Sequence, residues 1–226
     1  MSFGKLYYYP KAPRATMCQY IAEMNKLDIE SVEVWPIKVD PSKGGVGSDY
    51  LESFPTGKVP AIKRPNGYEV YECIPVSVYL AKQDPNTKLL GTSLEEEATI
   101  LQWASFANSE LLPPIMAWIN PVIGKAPSSP EILAKAAQYS EGMVSVVERA
   151  LSDGRKFLVG AELTIADLFV LAALARGYQF VFTKSWAATH PKIHDYYMRL
   201  RSDEIWCKID GGKPYVLENA GDKIPH

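Results

Sequence analysis

The chain is 226 residues long with 47% hydrophobic and 22% charged residues, enough apolar content to bury one large core or two small ones. Its formal net charge of -2 gives no sign of the dense basic surface that neutralising phosphates requires, so direct nucleic-acid binding is excluded as an expectation.

Taken in chain order, residues 5–9 form a short aromatic strand, Pro10 to Pro13 turn the chain, and 15–26 reads as a helix with Pro13 suited to its first position. Residues 31–39 are rich in Val, Ile and Trp and predict a second, largely buried strand. A glycine-rich loop at 43–48 lacks the lysine and hydroxyl pattern of a phosphate loop, and a short helix follows at 49–54. The runs 59–64 and 68–71 flank Pro65-Asn66-Gly67 and predict a hairpin, because Asn-Gly readily supplies positive φ. A helix over 72–82 tolerates Pro75 only in its first turn.

The polar segment 84–93, with Pro85, Asn86 and Gly91, reads as a linker between this half (4–83) and an all-helical half (94–210). Ser93 and Glu96 predict a capping box on a long helix that Pro113-Pro114 kinks or ends. A second long helix is predicted at 130–151. Thr164 with Asp167 caps an apolar run, 168–175, that belongs at the centre of a helical domain. A further helix is expected at 191–201 and an irregular tail at 211–226.

Three cysteines, Cys18, Cys73 and Cys207, have no CxxC spacing and encode neither a disulfide framework nor a zinc ribbon. His190, His194 and His226 have no metal-ligand spacing, so no metal is expected. No run approaches the roughly 20 apolar residues of a membrane span, and no signal peptide opens the chain, so a soluble, cytoplasmic protein is expected.

Gly57-Lys58-Val59-Pro60-Ala61, then Glu72, the polar linker, and Val159-Gly160 leading to Thr164-Ile165-Ala166-Asp167 resemble the glutathione transferase family over residues 4–210. The resemblance implies its fold, an α/β thioredoxin-like N-terminal domain plus an all-α C-terminal domain. The segments Gly4-Lys5-Leu6-Tyr7, Phe54 through Ala61, and Gln102 through Ser109 are most similar to the transferase-like domain of the translation elongation factor gamma subunit. Gamma subunits carry a further C-terminal domain whereas this sequence stops after the helical half, so a stand-alone, gamma-like transferase is the expectation.

The family implies glutathione as co-substrate or ligand, and it implies the residues that hold it. The proline matching Pro60 is cis, which lets the Val59 backbone pair with the cysteinyl backbone of glutathione. Glu72 and the Cys73 backbone, at a helix head, suit its γ-glutamyl end. Cys73 stands where the family usually has Ser, and a thiol is the weaker donor; a helix head also lowers thiol pKa, so a Cys73 mixed disulfide with glutathione is a further hypothesis, set against the favoured alternative of an inert buried cysteine. The resemblance also implies that Arg14 and Lys58 hold carboxylates, and either can equally be a solvated surface charge.

Conjugation also needs a donor to the glutathione sulfur at the end of the first strand. Pro10-Lys11-Ala12-Pro13-Arg14 offers neither Ser nor Cys, and Tyr8, aligned through Arg14, matches the phenol of tyrosine-using classes. Tyr8 is the catalytic candidate, Lys11 an alternative donor, and Tyr7, Tyr8 and Tyr9 can equally be strand aromatics. A glutathione-dependent oxidoreductase would need a cysteine where Ala12 and Pro13 stand. An electrophile pocket between the halves has Trp103, Phe106, Met116 and Trp118 as candidates, all of which can equally be core. Two functions remain: a transferase acting on a small electrophile, or a partner-docking module that keeps a glutathione pocket and meets translation elongation factor components. A two-fold homodimer is implied by the family for either.

Overall fold

The computed structural model describes residues 2–222, so His226 and the end of the tail lie outside the described residues. The chain divides into two compact units, residues 1–87 and Lys88 onward, a division that falls within the polar segment.

The first unit runs β1 (Gly4–Tyr8), α1 (Pro13–Met24), β2 (Ile29–Glu33), a 3-10 turn, α2 (Ser48–Ser53), β3 (Ala61–Lys63), β4 (Glu69–Tyr71) and α3 (Cys73–Ala81). The sheet order is β2-β1-β3-β4. β1 and β2 are parallel, which requires the α1 crossover, while β1–β3 and β3–β4 are antiparallel. Pro13 opens α1, where a missing N–H costs nothing. Gly67, with φ 85°, closes the hairpin as the Asn-Gly signal requires. β2 is shorter than the predicted 31–39 and starts earlier. It pairs only as far as β1 extends, to Tyr8 opposite Glu33, and Pro36 just beyond has no N–H to continue a ladder.

Alternation along the strands gives the sheet two faces. Leu6 and Ile62 are fully buried on one. Ala61 and Tyr7 lie on the other, in a cluster with Tyr50 and Phe54 of the α2 region and Val59.

The second unit is helical: α4 (Leu94–Phe106), α5 (Leu112–Val122), α6 (Pro130–Ala150), α7 (Ile165–Phe180), α8 (Lys184–Thr189), α9 (Pro191–Arg201) and α10 (Glu204–Asp210). The Pro113-Pro114 pair neither ends nor simply kinks the helix. A π-helical turn, Ala107–Leu111, joins α4 to α5, a wider turn suited to prolines that cannot return i→i−4 bonds, and both prolines fall in the first turn of α5. Ser93 Oγ accepts the Glu96 N–H as expected, but the Glu96 carboxylate takes the N–H and hydroxyl of Thr92, so the cap is built one residue earlier than the motif implies.

α7 is buried on nearly all sides, and a Cβ on its Gly177 would meet the Phe182 ring at 2.1 Å. Asp167 at its head is fully buried and accepts from Leu158 N–H (2.8 Å), Thr164 N–H (2.9 Å), Thr164 hydroxyl (3.0 Å) and Tyr196 hydroxyl (2.8 Å). Burial pushes its carboxyl pKa up, and these four donors work against the rise. The tail from 211 carries no helix among the described residues, yet it is anchored. Leu217 is fully buried in a bridge to Thr183, and Gly221 N–H donates to the Phe180 carbonyl at 2.8 Å.

The helices α8 and α10 were not predicted. Their caps were nonetheless written in the sequence, as Thr183 accepting from Trp186 N–H and Asp203 accepting from Ile205 and Trp206 N–H, with Gly211 in the left-handed region after α10.

Candidate functional site

The chemistry-bearing residues of the first unit gather at one end of its sheet, and strand register is what gathers them. The last paired row across the three strands is Tyr7, Ala61 and Tyr71. One residue beyond that row on each of the three chain segments, at the same end of the sheet, come Tyr8, Pro60 and Glu72.

The Val59–Pro60 bond is cis. Val59 is buried, and none of the described turn or ladder hydrogen bonds uses its backbone. Lys58 before it is exposed, and its carbonyl accepts the Tyr50 hydroxyl at 2.5 Å. That phenol is a residue sequence reasoning missed, since an aromatic in a six-residue helix carries no signal beyond packing.

Glu72 is the N-cap of α3 and sits at φ 71°, ψ 135°, a conformation costly for a residue with a side chain. Its side chain is exposed and makes no capping bond. Free amides at the α3 head and the positive end of the helix dipole favour an anion there.

Cys73, the first residue of α3, is buried, and its thiol is not activated. Burial pushes it up to about 11, outweighing the downward pull of the nearby Arg14 guanidinium and of the helix-head amides. The lowered thiol pKa expected from the helix head is therefore corrected, because desolvation of a thiolate exceeds what one helix end returns. Cys18 is likewise buried, 3.4 Å from the Ser77 hydroxyl, and burial raises its thiol well beyond the ordinary range. Arg14, in the first turn of α1, has an exposed side chain whose charge reaches Cys73, so the structure brings Arg14 to the α3 head.

Geometry separates the three tyrosines of β1 and its end. The Tyr7 ring packs edge-on against Tyr50 at 5.2 Å and Phe54 at 5.6 Å, and Tyr9 stacks on Trp35 at 5.5 Å. Tyr8 is half-buried and, among the described residues, no ring contact or hydrogen bond engages its phenol. Tyr7 and Tyr9 are therefore engaged in ring packing, whereas the ring of Tyr8 makes no such contact among the described residues. Lys11 is exposed in the turn before α1, at φ 57°.

In the second unit Trp103 and Phe106 are half-buried on α4 and meet edge-to-face at 5.6 Å. Met116 is half-buried on α5, and Trp118 turns its ring toward Phe182 at 6.0 Å. Among the described residues no group of three or more His, Cys, Asp or Glu is placed to hold a metal ion, and no helix is long and apolar enough to cross a membrane.

A four-stranded mixed sheet with a cis-proline entering β3, followed by a helical unit built around a buried, capped central helix, defines the thioredoxin-like plus all-helical architecture. Residues 111–204 match the model of the glutathione S-transferase C-terminal domain. A glutathione S-transferase of Emericella nidulans is 33% identical over 99% of this chain and 82% of its own length. The chain belongs to the glutathione S-transferase family. It is also 30% identical to elongation factor 1-gamma of Schizosaccharomyces pombe, over 88% of this chain and 47% of that protein, so it spans about half the length of that relative. The solved GST-like domain of elongation factor 1-gamma from Saccharomyces cerevisiae superposes with a TM-score of 0.80 at 26% identity, covering 100% of each chain.

Proposed function

We propose that the protein binds glutathione in its first unit and activates the thiol for conjugation to a small electrophile. The row of Tyr8, Pro60 and Glu72 at one end of the sheet, beside the head of α3, carries the reading. The residues present fit the ligand. Val59 offers unused backbone groups to the cysteinyl unit; Glu72 and the Cys73 amide meet the γ-glutamyl ammonium and carboxylate; Arg14 and Lys58 supply cations for carboxylates.

Tyr8 donates to the glutathione sulfur and favours thiolate over thiol, the proton leaving to solvent. The thiolate then attacks the electrophilic carbon, forming the C–S bond as the bond to the leaving group breaks. Lowering a thiol pKa by about two units corresponds to about 2.7 kcal/mol. One charge-assisted hydrogen bond supplies about 1.5–3 kcal/mol, so a single phenol suffices. Trp103, Phe106, Met116 and Trp118 are the candidates for apolar contact with the electrophile, and the protein acts in the cytoplasm as a two-fold homodimer.

A second reading rests on two specific observations: Cys73 in place of a hydroxyl donor, and the match over the whole chain to the GST-like domain of elongation factor 1-gamma. In it the chain keeps the glutathione pocket and docks translation elongation factor components. Calorimetry with reduced glutathione, paired with conjugation of a generic electrophile, separates the two. Binding with turnover that collapses in Tyr8→Phe supports the enzyme and its donor. Binding without turnover supports the docking module, and no binding overturns both.

A further inference from the structure

We infer that Tyr50 is a positioning residue for glutathione, acting through the Lys58 carbonyl rather than by touching the ligand. The inference rests on the glutathione site proposed above and concerns what holds that site's central backbone segment in place.

The segment 54–60 connects α2 to β3 with no strand pairing of its own; the ladder begins only at Ala61. Apart from the turn bond from the Gly57 N–H to the Phe54 carbonyl, and the Phe54 N–H to the Tyr50 carbonyl, its backbone is held by side chains. Two side chains of the segment itself and one from α2 do so. Phe54 is fully packed, with its ring 4.9 Å from Tyr50 and 5.6 Å from Tyr7. Val59 is buried in the same cluster. The Tyr50 phenol donates to the Lys58 carbonyl at 2.5 Å.

Of these, only the phenol acts on a backbone group, and the group it acts on shares a peptide unit with the Val59 N–H. Lys58 C=O and Val59 N–H point to opposite sides of one planar amide. Fixing the carbonyl toward Tyr50 thus fixes the direction of the N–H on the other side, which is the donor offered to the cysteinyl backbone of glutathione. Accepting a hydrogen bond at the carbonyl also polarises that amide and strengthens its N–H as a donor.

Tyr50 is suited to the task because it is nearly out of solvent, and burial, reinforced by the neighbouring Tyr7, raises its phenol well beyond the ordinary range. The hydroxyl stays protonated at any pH where the protein works, so the donor is always present. Tyr7 lies in the same cluster without bonding this segment, and it provides the matched control.

The test is Tyr50→Phe beside Tyr7→Phe, each of which removes one hydroxyl and keeps the ring. Reduced glutathione affinity is measured by calorimetry, kcat and KM for glutathione with a generic electrophile, and unfolding by heat. The expected result is a roughly tenfold weaker affinity for Tyr50→Phe, about what one hydrogen bond controls. Tyr7→Phe keeps wild-type affinity. Where there is turnover, KM for glutathione rises with the dissociation constant and kcat at saturation stays within twofold. Wild-type affinity in Tyr50→Phe overturns the inference while leaving the glutathione site standing. Equal losses in both variants, or a fall in affinity, kcat and unfolding temperature together, overturn it in favour of a purely structural role. Failure of the wild-type protein to bind glutathione overturns the underlying site, and this inference with it.

Discussion

Two of the acidic residues at helix heads in this molecule, Asp167 and Glu72, are used in opposite ways. Asp167 in the helical unit is fully buried and accepts four hydrogen bonds. Glu72 in the mixed unit is exposed, makes no capping bond and holds a left-handed φ of 71°. Both are carboxylates at the positive end of a helix dipole, so neither charge nor dipole distinguishes structure from function. What distinguishes them is whether the chain supplies partners. At Asp167 the fold satisfies every acceptor it buries, whereas at Glu72 it holds a costly backbone and leaves the polar groups open.

The largest expected effect breaks the buried member of the pair. Asp167→Ala leaves two amides and two hydroxyls without their acceptor and is expected to cost about 3–5 kcal/mol in urea unfolding. A loss below 1 kcal/mol would mean that the network is not the anchor of α7. Gly177→Ala, farther along that helix, forces a methyl onto the Phe182 ring and is expected to cost about 1–3 kcal/mol. Its glutathione affinity at a temperature where it is folded is expected to match wild type.

At the open end of the comparison, Tyr8→Phe is expected to leave stability unchanged and lower kcat by roughly ten- to a hundredfold, the effect of losing about 1.5–3 kcal/mol of thiolate stabilisation. Glu72→Gly sharpens the contrast further. Glycine adopts φ 71° without penalty, so the variant is expected to gain about 1 kcal/mol in stability while binding glutathione more weakly. A variant that gains stability and keeps full affinity would show that Glu72 does not meet the ligand.

The smallest effect is a pH dependence confined to stability. His190 Nε2 lies 2.9 Å from Glu141, which also accepts from Trp186. Burial favours the neutral ring, but the bonds to Glu141 and to the Trp186 carbonyl outweigh it and raise the His190 pKa. A raised histidine pKa adds stability that is fully present below the ordinary value of about 6.5 and is lost as pH rises through the folded value. His190→Gln is expected to flatten that fall in unfolding measurements. Glutathione affinity over the same window is expected to be indifferent to the substitution.

Legibility in the sequence followed the range of the interaction concerned. The hairpin at Asn66-Gly67, the Thr164–Asp167 box, Pro13 opening α1 and the apolar run of α7 were all readable, because each depends on backbone preferences or on partners a few residues away. The family resemblance pointed to Pro60 as cis, which periodicity alone does not reveal. α8 and α10 went unread although their caps were present, since helices of six and seven residues are too short to show a periodic pattern. The end of β2 was misplaced because a strand stops where its neighbour stops, whatever its own residues favour.

By itself the sequence determined the order of elements in the first unit and the two-part organisation, and the family resemblance named the residues proposed for a glutathione site. Only the tertiary structure decided which of Tyr7, Tyr8 and Tyr9 packs its ring against other aromatics, for that depends on strand register and on Tyr50, Phe54 and Trp35 arriving from elsewhere in the chain. It likewise decided that Cys73 is a quiet thiol, because desolvation is set by everything packed around a group and not by the helix it begins.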